Sequence, residues 1–232
     1  MTSAGPNSQT NAVIKRARAS RGSSSAAIYR MVAKILRQRH QGGGTLIDVG
    51  CGKGELWRHV APNIVSYIGA DIVRYDDFPA GERFLKINLD TGNIPLPKAT
   101  GDVVVAVETI EHLENPRAFF RELTRLTKPG GLLVMTTPNQ RSLLSLITLL
   151  AKGEYNAFQE APGLYPSHIT ALLEIDLVRM ARECGFGEIA VAYSDHGRIP
   201  FTARTWPSFL GGRWFSDNVA FSGQRLADSV DS

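Results

Sequence analysis

The spacing of apolar residues changes period along the chain, and each change marks an element. Ile28, Met31, Val32, Ile35 and Leu36 recur three and four apart, as on one helical face, and the series stops at Gly42-Gly43-Gly44. Residues 45–49 then form a short apolar run that ends in glycine, the pattern of a buried strand. Further strands are predicted at 67–71, 84–88, 103–107, 132–136, 188–193 and 218–222. Helical spacing returns between them, most clearly at 116–126 and 175–184, with Gly185 placed to cap the second. Strands alternating with helices imply right-handed crossovers and an α/β fold, a doubly wound and mostly parallel sheet, over residues 25–225. Residues 1–24, rich in Ser, Ala, Asn, Gly and Arg, predict a mobile basic tail, and 226–232 a short second one. The segment 138–175 predicts an insertion over the sheet, either a lid or an acceptor-binding element.

Composition narrows the class. With 232 residues, 43% of them hydrophobic, the chain fits one globular domain, and a disordered protein or a coiled coil is excluded. The net charge of +4 is unevenly placed: residues 1–47 carry eight cations and no carboxylate, while the rest has 18 basic against 22 acidic residues, a net −4. Cys51 and Cys184 are too few for a disulfide framework, which predicts a reducing, cytoplasmic setting. The longest apolar stretch, 143–150, is broken by Ser145 and Thr148 and is far shorter than the ~20 residues of a membrane span. A soluble protein is expected, as monomer or homodimer, with peripheral membrane contact left open.

Candidate chemistry lies just after the strands, because an open parallel sheet binds ligands at the carboxyl ends of its strands. The first strand runs into Gly50-Cys51-Gly52-Lys53-Gly54, whose glycines let the backbone approach a ligand before the next helix begins. Cys51 reads as a small residue in that turn. Asp71 stands 17 residues beyond Gly54, where such folds hold a ribose diol. Asn88-Leu89-Asp90 follows the third strand, and Glu108, Glu111 and His112 the fourth. A dinucleotide fingerprint would need glycine at 55, where Glu55 stands. Asp48, Glu55 and Glu108 would repel a pyrophosphate but suit a cation such as S-adenosylmethionine, with its sulfonium and ammonium groups.

Three motifs then agree in order: 46–54 (LIDVGCGKG), 102–116 (DVVVAVETIEHLENP) and 126–139 (LTKPGGLLVMTTPN). Over residues 45 to about 225 the chain resembles the class I S-adenosylmethionine-dependent methyltransferases. The resemblance implies a Rossmann-like sheet of seven strands, the last antiparallel. It also implies cofactor roles: Asp48, Gly50, Cys51, Gly52 and Gly54 beside the methionine moiety, Asp71 on the ribose, Asn88 to Asp90 around the adenine, and Glu108 near the amino acid end. Close relatives carry Asp-Leu-Asn where this chain has Asn88-Leu89-Asp90, so the side chain that meets the adenine amino group is left open between the two.

On the acceptor side, methyl transfer to oxygen needs a positioned nucleophile and a base or a metal. Glu108, Glu111 and His112 would share one face if helical, and His168, late in the insertion, is expected to open the next helical region. Glu111, His112 and His168 are the catalytic candidates. Together with Glu108 they could also hold Mg²⁺ or Mn²⁺. That set resembles the small-RNA 2′-O-methyltransferases, whereas the His168-Ile169-Thr170 stretch resembles bacterial sugar and lipid-linked methyltransferases. The expected acceptor is a small-molecule or lipid-linked hydroxyl, a saccharide ahead of a quinone. Two alternatives stand beside it, a metal-dependent RNA 2′-O-methyltransferase and a nucleic-acid or membrane-surface binding module acting through the basic leader. The leader has no aromatic residue before Tyr29 and no recognition helix, so a nucleic acid partner is not expected.

Overall fold

The central strands are apolar on both faces because helices cover both sides of one sheet. In β1 (Thr45–Val49), β4 (Gly101–Val107) and β5 (Thr127–Pro138), successive side chains go to opposite faces. Leu46, Val103 and Leu132 point one way, under Ile28 and Val32 of α2 (Ala26–Arg39) and Leu56 of α3 (Glu55–Val60). Ile47, Val104 and Leu133 point the other way, under Phe120 and Leu123 of α4 (Pro116–Leu126) and Leu177 of α6 (Glu174–Glu183). The remaining elements are α1 (Pro6–Ala19), β2 (Ser66–Asp71), β3 (Arg83–Lys86), α5 (Leu143–Lys152), β6 (Phe186–Tyr193) and β7 (Asn218–Arg225). This computed structural model describes residues 6–91 and 93–227.

The seven strands run in the order β3-β2-β1-β4-β5-β7-β6. All are parallel except β7, which wedges antiparallel between β5 and β6. The chain order reverses between β1 and β4, so the glycine turn after β1 and the segment after β4 flank one crevice. The elements read from periodicity are present with small shifts at their ends. β3 stops at Lys86 because the chain turns at Asn88, whose side-chain oxygen accepts the Asp90 N–H at 3.0 Å. Gly185, at φ 76°, follows α6 as expected.

Two expectations differ from the structure. The leader was expected to be mobile, yet residues 6–19 form α1, and residues 20–25 tie it back to the body; residues 1–5 of that segment lie outside the described residues. Tyr75 donates its hydroxyl to the Ala17 carbonyl at 3.0 Å, and the Lys53 N–H donates to the Gly22 carbonyl at 2.8 Å. Composition hid this helix because it docks through its own carbonyls and Arg16 rather than through a broad apolar face. Glu108, Glu111 and His112 also do not share an α-helix: Glu108 takes a left-handed conformation, φ 47°, and Ile110–His112 is a single 3₁₀ turn. His168 sits in irregular chain that precedes α6, not at a helix start. The end of the second expected tail, 228–232, lies outside the described residues.

Candidate active site

A chamber of about 660 Å³ opens at the carboxyl ends of the strands, in the crevice between β1 and β4. Its first wall is the glycine turn. Gly50 has φ 78°, and a Cβ there would sit 2.2 Å from the Thr109 hydroxyl oxygen. Gly52 has φ 51°, and its Cβ would meet the Gly22 carbonyl at the same distance. Any side chain at either position would be strained and would push into a neighbouring wall. Gly54 does not face the chamber; it packs against Pro79. Cys51 is buried at the wall, and burial pushes its thiol well above the usual range.

Carboxylates line the floor. Asp48, at the end of β1, accepts the Tyr67 hydroxyl at 2.6 Å on one oxygen, while its other oxygen has no partner. Burial pushes its pKa up to about 7 against the opposing Tyr67 bond, with help from the Asp71 charge. Asp71 accepts the N–H groups of Gly52 at 2.9 Å and Val73 at 3.1 Å, which lock its carboxylate toward the turn. Glu108 is held by the Asn218 amide at 2.8 Å, and its backbone N–H donates to the Thr136 hydroxyl at 3.0 Å. Its second oxygen is unpartnered, and burial raises its pKa to about 7. Glu111 does not line the chamber but lies wholly buried behind it, and its pKa is pushed well above the usual carboxylate range, by burial first and then by the Glu108 charge. Buried carboxylates with unmade bonds are costly in isolation, and a cationic ligand would satisfy them.

Above the floor, His112 and His168 meet edge to face with ring centroids 4.8 Å apart. His112 donates from Nδ1 to the Ser167 carbonyl at 2.8 Å, which leaves Nε2 with its lone pair. Burial lowers its pKa and keeps it neutral. His168 is lowered to about 3 by burial and by the neighbouring His112, and its Nδ1 has no partner. Ligand atoms of Glu111, His112 and His168 lie within 4.8 Å of one another. Glu108 is outside that group.

Of the expected cofactor residues, Asp48, Gly50, Cys51, Gly52, Asp71, Leu89 and Glu108 line the chamber, as do His112 and His168. Asn88 and Asp90 do not, nor does the catalytic candidate Glu111. Asp90 is instead engaged by Arg16 at 2.8 Å and by the Glu114 N–H at 2.8 Å. Sequence reasoning missed the roof, made of Val13, Arg16, Ala17 and residues 19–25 of the leader. It also missed Tyr67, Asn218 and Ser167, which orient Asp48, Glu108 and His112. Only Asn218 carried a signal, as a polar residue opening the last strand. Tyr75, in the loop after β2, lines the chamber as well.

The model of a methyltransferase domain matches residues 24–190. With the strand order and the glycine turn, this places the chain in the class I S-adenosylmethionine-dependent methyltransferase family, whose cofactor is S-adenosylmethionine. A ubiquinone biosynthesis O-methyltransferase of Caulobacter vibrioides is 31% identical over 177 residues, 70% of this chain and 66% of that protein. A probable S-adenosylmethionine-dependent methyltransferase of Mycolicibacterium smegmatis is 30% identical over 150 residues, 62% of this chain and 52% of that one. The chain thus spans between half and two-thirds of the length of these curated relatives. Among solved structures, Burkholderia thailandensis 1,6-didemethyltoxoflavin-N1-methyltransferase superposes with a TM-score of 0.62 at 13% identity, covering 98% of this chain and 93% of that one. That likeness concerns the fold.

Proposed function

We propose that the protein transfers the methyl group of S-adenosylmethionine to a hydroxyl oxygen of a small-molecule or lipid-linked acceptor. The observation that carries the reading is the pairing, in one chamber, of unpartnered carboxylate oxygens on Asp48 and Glu108 with a neutral His112 whose Nδ1–H is engaged by the Ser167 carbonyl, so that Nε2 carries the lone pair. Asp48 and Glu108 would receive the cationic methionine end, and Asp71 would accept the ribose hydroxyls. The acceptor oxygen attacks the methyl carbon in line, the carbon–sulfur bond breaks with its electron pair going to sulfur, and His112 Nε2 takes the hydroxyl proton. Oxygen as the acceptor atom is favoured by the Caulobacter relative, named an O-methyltransferase.

Calorimetry with S-adenosylhomocysteine on the wild type and on Asp71→Ala tests the cofactor half. Binding that is absent, or indifferent to Asp71→Ala, would refute it. Methyl transfer to catechol and saccharide acceptors by His112→Ala tests the other half. A second reading is favoured by the close approach of Glu111, His112 and His168, a donor set of one carboxylate and two imidazoles that suits Mn²⁺ better than Mg²⁺. These three would hold the ion, which would lower the acceptor hydroxyl's pKa. The unpartnered Glu111 Oε1 and His168 Nδ1 fit that role. Full activity in EDTA excludes it; activity lost in EDTA and restored by Mn²⁺, together with loss of Mn²⁺ binding in His168→Ala, favours it.

A further inference from the structure

Two excursions leave the sheet at the same end as the chamber: residues 139–173 after β5, and residues 194–217 between β6 and β7. The first is built inside out. Ser145 and Thr148 of α5 are buried, as are Gln140, Asn156 and Gln159 beneath them, and these polar groups bond to one another and to the backbone. Leu143, Leu144, Leu146, Ile147 and Leu149 are only half-buried, and Leu150 is 89% exposed. A water-facing helix on a globular domain shows the reverse pattern. The second excursion meets α5, where the Leu143 N–H donates to the Trp214 carbonyl at 2.9 Å, and raises Phe201 and Phe209 on its tips at 90% and 83% exposure.

Exposed cations lie at the same end of the molecule as these apolar tips. The Arg16 carbonyl accepts the Ser167 hydroxyl at 3.3 Å, so α1 lies beside the segment that carries the exposed Leu164 and Tyr165; Lys15 and Arg18 of α1 are exposed, Arg18 on the side of Tyr75. Arg21 stands at the chamber mouth, and the Arg204 carbonyl accepts the Ile199 N–H next to Phe201. Of the acids at this end, Asp195 faces Arg30 and Asp217 faces Arg198. Asp77 likewise faces Lys53 and Glu114 faces Arg16. That leaves Asp76, Glu154 and Glu160 against Lys15, Arg18, Arg21 and Arg204, all exposed.

We propose that this end of the molecule docks on an anionic lipid bilayer, with the mouth of the chamber facing the lipid. Scattered apolar tips with a cationic rim match the chemistry of the headgroup boundary, where apolar side chains sink in and Lys and Arg meet lipid phosphates. A second copy of the chain fits less well, since a two-fold contact centred on this face would set its cationic rim against itself. No helix among the described residues is long and apolar enough to cross a membrane, so docking is peripheral. An acceptor held in the bilayer would then reach His112 without passing through water. The inference stands whichever atom is methylated.

Sedimentation of the full-length protein with vesicles of phosphatidylcholine, alone or mixed with phosphatidylglycerol, tests it. The protein is expected to pellet with the mixed vesicles and to be released by salt. The double variant Leu150→Asp/Phe209→Asp should bind them at least about tenfold more weakly, given the apolar area withdrawn from the lipid. Its calorimetric affinity for S-adenosylhomocysteine should be unchanged, which shows the fold and the cofactor half intact. A wild type that stays in the supernatant with mixed vesicles, or a double variant that binds them like the wild type, overturns the proposal. So does a dimer, seen by sedimentation equilibrium, that the double variant splits without any vesicle binding by the wild type.

Discussion

Asp48 keeps a buried carboxylate whose unsatisfied oxygen costs stability until a cation arrives. Its pKa is raised from 3.8 to about 7, so the folded chain holds this proton more tightly than the unfolded one. The group's contribution to stability is full below the unfolded value and is lost as pH rises toward 7. Ligand-free protein should therefore lose melting temperature over that window, and Asp48→Asn should remove much of the loss, as thermal unfolding across pH would read. S-adenosylmethionine, in contrast, favours the ionised form: its binding should tighten as pH rises through about 7 and should release a proton, detectable by calorimetry in buffers of different ionisation enthalpy. Asp48→Asn should weaken that binding by about tenfold or more, the loss expected when a charge-assisted contact is removed. At His112 the outcome differs. His112→Ala should slow methyl transfer by roughly 10²–10⁴-fold, the range of general-base catalysis, while leaving S-adenosylhomocysteine affinity near the wild-type value. A rate within twofold of wild type would remove His112 from the chemistry. Asp48 and Asp71 were legible because they stand at the carboxyl ends of predicted strands, and His112 because it lies in the segment that follows one. Tyr67 and Ser167 were not, because their roles exist only through partners 19 and 55 residues away.

Among the elements, the strand-to-helix turn and the leader depend on each other. Gly52 has no side chain because the Gly22 carbonyl fills that space, and the same carbonyl takes the Lys53 N–H. Arg16 ties the leader to Asp90 and Glu114, with Asp90 only 6% exposed. Breaking a pair of that burial leaves an uncompensated carboxylate. Arg16→Ala is expected to speed release of S-adenosylhomocysteine by about tenfold, the equivalent of ~1.4 kcal/mol, and deletion of residues 1–24 by more. Stopped-flow dissociation rates unchanged in both variants would show that the roof does not hold the cofactor. Gly50→Ala should cost ~1–3 kcal/mol in backbone strain alone, read as a lower melting temperature, with the Thr109 clash adding to it. The core helices were legible because their apolar faces repeat at helical spacing. α1 was not, since it has few large apolar residues and docks through polar groups.

At the scale of the whole molecule, one sheet joins two cores that α2 with α3 and α4 with α6 close from opposite sides. Phe120 links α4 to Phe186 and Phe221 near the far edge, with ring centroids 5.9 Å apart in both pairs. Phe120→Ala should cost ~3–5 kcal/mol. That corresponds to a fall of roughly 10 °C in melting temperature for a domain of this size. Saturating S-adenosylhomocysteine should raise the melting temperature of wild type and variant alike, because Phe120 does not line the chamber; no rise in the variant would mean that the two cores are coupled through the site. The sequence by itself determined the alternation of strands and helices, the parallel sheet and the residues at the strand ends, because these follow from local periodicity and from where a doubly wound sheet must bind. Only the tertiary structure decided what surrounds them: the leader as a roof, Asp90 drawn to Arg16 and out of the chamber, Glu108 parted from the Glu111–His112–His168 cluster, and an insertion with its polar side inward. Each of these rests on contacts between segments far apart in the chain, and no local pattern of residues encodes such a contact.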